Sequence, residues 1–122
     1  MSVLLDTNII IDYSREKSGA AGFIESLTAV PCVSVITVTE IIQGVRDAER
    51  PFFQNMFAVF EVLPITHDVA LLAGEMRWRF SKSHNLGLAD ACIAASSQHY
   101  DRPLATLNVR DFPMFDGLMR PY

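Results

Sequence analysis

Four short apolar runs, set between segments with the period of an α-helix, constrain this chain more than any other feature. The runs are "VLL" at 3–5, "PCVSVI" at 31–36, "FEVLPI" at 60–65 and "PLATLN" at 103–108. Short apolar strands that alternate with helices imply a parallel sheet covered on both faces. The expected fold is therefore α/β and three-layered, with a central parallel sheet of four to five strands and helices on each face. At 122 residues the chain is long enough for one ordinary core, so residues 1–122 are read as one domain. The tail "LMRPY" offers a fifth, edge strand, which Pro121 would limit.

The helical segments can be placed from their patterns. "TNIIIDYSRE" reads as a helix, although three consecutive isoleucines are also compatible with a strand, and "AAGFIESLT" gives a second short helix. From Thr37, the residues Val38, Ile41, Ile42 and Val45 form one apolar stripe, and Thr37 with Glu40 has the spacing of a capping box. Pro51 opens "PFFQNMFAVF" at the position where proline suits a helix. Val69, Leu72, Ala73, Met76 and Phe80 mark a long amphipathic helix over residues 67–84. "LADACIAASSQHY" is an alanine-rich helix able to pack closely, and "RDFPMF" a short turn or helix.

Composition excludes several classes of function. No apolar run approaches the length that spans a bilayer, and no basic segment precedes an apolar core, so a cytoplasmic protein without membrane partners is expected. Cys32 and Cys92 sit in apolar stretches and read as reduced, buried thiols. With three histidines at no ligand spacing, they argue against zinc. Fourteen acids against ten bases give a net charge of −4, so the chain does not hold nucleic acid by overall charge. There is no glycine-rich phosphate loop and no nucleophile–histidine–acid set.

Asp6 is the only charged residue among the first eleven and lies between "VLL" and "III". Ligands of open parallel sheets bind at the carboxyl ends of the strands. Asp6, Asn108 and Asp111 fall just after a strand, Glu40 in the first turn of the helix that follows one, and Asp90 in the first turn of "LADACIAA"; all are expected near that edge. Each acid alone has a structural explanation, because first helical turns favour negative charge. Together, several partly buried carboxylates would repel one another, and a divalent cation relieves that. Oxygen-only ligands suit Mg²⁺ or Mn²⁺, and such a site can hydrolyse a phosphodiester.

These residues carry a family resemblance. "LLDTNIIID", "SVITVTEI" ending near Glu40, "GLADACIAA" around Asp90 and "LATLNVRDF" occur in order across nearly the whole chain. In them the chain resembles the PIN-domain nucleases, and in particular the VapC-type toxins of bacterial toxin–antitoxin pairs. The resemblance implies an endoribonuclease in which Asp6, Glu40 and Asp90 bind Mg²⁺, with Mn²⁺ able to substitute. Asn108 stands where family members often carry a fourth acid, and Asp111 lies three residues on. The resemblance also implies a cognate antitoxin that threads a peptide across the cleft, and a homodimer using the helix pair around residues 37–60.

Thr7 and Asn8 are expected to orient Asp6. Thr106 could contact a phosphate or be a plain strand residue. Arg77, Arg79 and Lys82 could track an RNA backbone or form a solvated face. Trp78 could stack on a base or anchor an interface.

Other readings compete. A DNA- or flap-directed nuclease would use the same chemistry. A signalling receiver needs a lysine after a late strand, where only Arg110 is available, and a haloacid-dehalogenase-like phosphatase needs a second acid in "DTN". A non-catalytic metal-binding dimer would keep the scaffold alone.

Overall fold

The computed structural model describes residues 2–122. Its strands are β1 (Leu4–Leu5), β2 (Cys32–Ser34), β3 (Glu61–Leu63) and β4 (Leu104–Ala105). They form one sheet in the order β3-β2-β1-β4, and every pairing is parallel. The helices are α1 (Thr7–Ser14), α2 (Ser18–Ser26), α3 (Val35–Gly44), α4 (Arg50–Val59), α5 (His67–His84) and α6 (Leu88–His99). The expected fifth strand is reduced to a single parallel bridge, Ala105 to Met119. Tyr122 closes the tail down by donating from its hydroxyl to Asp12 Oδ2 (3.0 Å), with its ring on Gly19, where a Cβ would come within 2.7 Å of it.

Successive strand residues point to opposite faces, so each strand serves two cores. Leu4, Cys32, Leu63 and Leu104 face α5 and α6, meeting Val69, Ala73, Met76 and Ile93. Leu5, Val33 and Ala105 face the other way, against Ile9 and Ile10 of α1, Ile41 of α3, and Phe53 and Met56 of α4. The triple isoleucine is thus a helix that places two of its members, Ile9 and Ile10, in the core. In α6, Ala91 through Ser97 are all buried, and the two serines are satisfied by donating to Cys92 O (2.8 Å) and Arg102 O (2.6 Å).

The start of α3 departs from expectation. The helix begins at Val35, with Ser34 as its N-cap accepting from Ile36 N at 3.2 Å. Ser34 both ends β2 and caps α3, so "VI" at 35–36 belongs to the helix. Thr37 is therefore inside the helix and fully buried, and the Thr37–Glu40 capping box does not form.

From β1 the chain winds to β2 and β3 on one side, and it returns to β4 on the other. The strand order therefore switches between β1 and β4. At such a point the loops leaving two neighbouring strands diverge and open a crevice.

Candidate active site

The crevice beyond β1 and β4 is a pocket of about 220 Å³ lined by the carboxylates of Asp6, Glu40, Asp90 and Asp111, with Asn8 and Asn108. Asp6 leaves β1 and caps α1, its Oδ1 accepting from Thr7 N at 2.8 Å. Its other oxygen accepts from Thr106 Oγ1, just after β4, at 2.7 Å. Thr106 Oγ1 in turn accepts from Asn108 N at 3.0 Å. Asp6 is 4% exposed, so both its oxygens need these partners.

Glu40 is held from α1. Thr7 Oγ1 donates to Glu40 Oε1 at 2.7 Å and lies 2.9 Å from Thr37 Oγ1. Thr7 has one hydroxyl proton, and it goes to the carboxylate, so Thr37 is the donor to Thr7. The side chain of Thr7 therefore steadies Glu40, and only its backbone N–H orients Asp6. Asn8, expected to help orient Asp6, instead has a buried Oδ1 with no hydrogen-bond partner in the protein.

The charges act on one another. Burial raises the pKa of Asp6 most; hydrogen bonds from Thr106 and Thr7 pull it down, and Glu40 and Asp111 push it up. Asp90, half-buried in the first turn of α6, is pushed up to about 6 by burial and then by Asp6, Asp111 and Glu40. A carboxylate in this state is poised to take either a proton or a cation.

Among the described residues, no three Asp, Glu, His or Cys side chains converge closely enough to hold an ion as they lie. The carboxylates ring the pocket instead, with Glu40 turned onto Thr7. Their chemistry nevertheless fits a hard cation: every donor is an oxygen, the acids repel one another, and the Asn8 amide oxygen is an unmet acceptor.

The structure thus brings Asp6, Glu40, Asp90, Asn108 and Asp111 to one pocket, with Thr106 behind Asp6. It does not bring Arg77, Arg79 or Lys82 there. Packing of α5 on α6 sends Arg77 Nε to Leu86 O (3.0 Å), which clasps the loop between the two helices. Arg79 lines a separate cleft with Glu75 and Met114, and Trp78 is 85% exposed. Asn8, which its place two residues after Asp6 marks only as a group orienting that acid, also lines the pocket.

Fold and pocket together define a doubly wound α/β protein with a polyacidic site at its switch point. Comparison with known proteins agrees. Residues 3–117 match the PIN domain family. Ribonuclease VapC10 of Mycobacterium tuberculosis is 38% identical, over 98% of this chain and 92% of that protein. Ribonuclease VapC19 of the same organism is 32% identical, over 98% of each. A solved structure described as a toxin–antitoxin complex from Klebsiella pneumoniae matches with a TM-score of 0.84 at 30% identity, over 99% of this chain and 98% of that one. The chain belongs to the PIN-domain family, among its VapC-type members.

Proposed function

We propose that the chain is a Mg²⁺-dependent endoribonuclease, with Mn²⁺ able to substitute, that acts in the cytoplasm as the toxin of a toxin–antitoxin pair. The observation that carries this reading is the buried Asp6 carboxylate, fixed between β1 and β4 and facing three further acids. The names of the relatives, both ribonucleases, support the choice of RNA.

Asp6, Glu40 and Asp90 would hold the ion. When bound, it supplies an acidified water and offsets the charge that builds on the phosphate and leaving oxygen. The protein's own residues supply position. Thr106 and the Thr7 N–H fix both oxygens of Asp6, and the Thr37–Thr7 pair fixes one oxygen of Glu40. Of the other lining residues, Asn108 could donate from its amide to a phosphate oxygen or a water, and Asp111 could accept from a water. No side-chain nucleophile is required.

A polyacidic pocket also suits an antitoxin that brings a basic side chain to it, and the Klebsiella pneumoniae likeness supports such a partner. A homodimer through the 37–60 helix pair is supported by apolar surface there: Phe52 and Val59 of α4 are both exposed.

The test is incubation of the purified protein with total RNA and with single-stranded DNA, in Mg²⁺ and in excess chelator. RNA cleavage in Mg²⁺ alone is expected. Cleavage that is indifferent to chelator, or confined to DNA, would overturn the proposal.

A further inference from the structure

Beside the acidic pocket lies a second and larger cleft, of about 520 Å³, lined by Leu107, Asn108, Val109, Arg110, Asp111 and Arg120. The two clefts share Asn108 and Asp111. We infer that Arg110 and Arg120 form a phosphate subsite that holds the RNA backbone next to the bond being cut. This rests on the ribonuclease reading and adds to it the residues that grip the strand.

Three features support the assignment. First, the ion pairs among the described residues are Lys17–Asp12, Arg50–Asp47 and Arg102–Glu61, so neither Arg110 nor Arg120 is neutralised by a carboxylate. Two guanidinium groups without a carboxylate partner therefore lie beside the acid pocket, in a chain of net charge −4. The planar guanidinium fork matches phosphate oxygens.

Second, Arg120 is held in place from both sides. Met119 O accepts from Thr106 N at 3.1 Å, and Tyr122 is tied to Asp12 and seated on Gly19. Thr106 thus binds Asp6 with its side chain and the tail with its backbone, which sets Arg120 in register with the acid pocket.

Third, Arg110 lies in the 3₁₀ turn Val109–Asp111, between the two residues that line both clefts. A strand whose scissile phosphate enters the acid pocket would lay its neighbouring phosphate along this cleft.

The test compares the full-length wild type with Arg110→Gln/Arg120→Gln on a fluorescent single-stranded RNA oligonucleotide at several salt concentrations. Both arginines are exposed, and thermal melting checks that the variant is folded. KM is expected to rise about tenfold, with kcat within about threefold. The slope of log(kcat/KM) against log salt should become shallower by roughly 1.4, or about 0.7 for each lost phosphate contact. Arg110→Lys/Arg120→Lys should recover most of the slope.

A cleaving wild type whose KM and salt slope the double Gln variant leaves unchanged would overturn the subsite alone. A wild type that neither binds nor cleaves RNA in any divalent metal would overturn the ribonuclease reading beneath it. A variant that keeps its RNA slope but loses affinity for hexaglutamate would assign the cleft to an acidic protein segment and sink the proposal.

Discussion

Thr106 Oγ1 donates to Asp6 Oδ2 at 2.7 Å, joining the ends of two neighbouring strands across 100 positions of sequence. Both residues are buried, so the bond is shielded from water and its loss is not made good by solvent. Thr106→Val keeps the branched shape but strands a buried carboxylate oxygen. It should cost about 1–3 kcal/mol of stability by urea unfolding, whereas Thr106→Ser should cost much less.

Ser34 and Thr37 separate two readings of one helix start. Ser34→Ala removes the observed cap and should lower stability by about 1 kcal/mol. Thr37→Val removes no cap. It leaves Thr7 without its donor and loosens Glu40, so Mg²⁺ should bind more weakly in calorimetric titration. A cap-like stability loss with unchanged Mg²⁺ binding would contradict the structural assignment of Thr37.

Asp90 has a folded-state pKa of about 6 against an ordinary 3.8, so the folded protein holds the proton more tightly than the unfolded chain. Stability from this group is therefore full below about pH 4 and is lost as pH rises through about 6. Asp90→Asn has no charge to bury. In chelator at pH 7 it should melt above wild type by about 2–4 °C, after allowing for solvent screening of a half-buried group. The two proteins should converge near pH 4. Millimolar Mg²⁺ should then raise the wild-type melting temperature and leave the variant nearly unmoved.

Much of this architecture was legible in the sequence because its signals are local. The strand-to-helix alternation placed all four strands, and "DTN", Glu40, Asp90 and the 108–111 segment were expected near one sheet edge, where the fold brings them to one pocket. Local signals also misled. Ser34 sits inside an apolar β-branched run, and nothing in that run says where the strand stops. Thr37 and Glu40 have capping-box spacing, but a residue that caps and one that points inward from the second turn look alike in one dimension.

The basic residues do not line the acid pocket, for a different reason. Arg77, Arg79 and Lys82 cluster in sequence, yet a helix scatters such a cluster, and Arg77 spends its side chain on Leu86 O. Arg110 and Arg120 are ten positions apart and line one cleft because the tail returns beside β4. Contacts of that kind have no signature in spacing.

In the function proposed for this chain, Asp6 anchors a metal-dependent RNA-cleaving site. RNA cleavage by wild type and Asp6→Asn across a Mg²⁺ titration, with circular dichroism showing both folded, tests it most directly. Cleavage that rises and saturates with Mg²⁺ for wild type, and falls at least about 100-fold in the variant, is the predicted result. A folded Asp6→Asn that cleaves at the wild-type rate, with the same Mg²⁺ dependence, would contradict it.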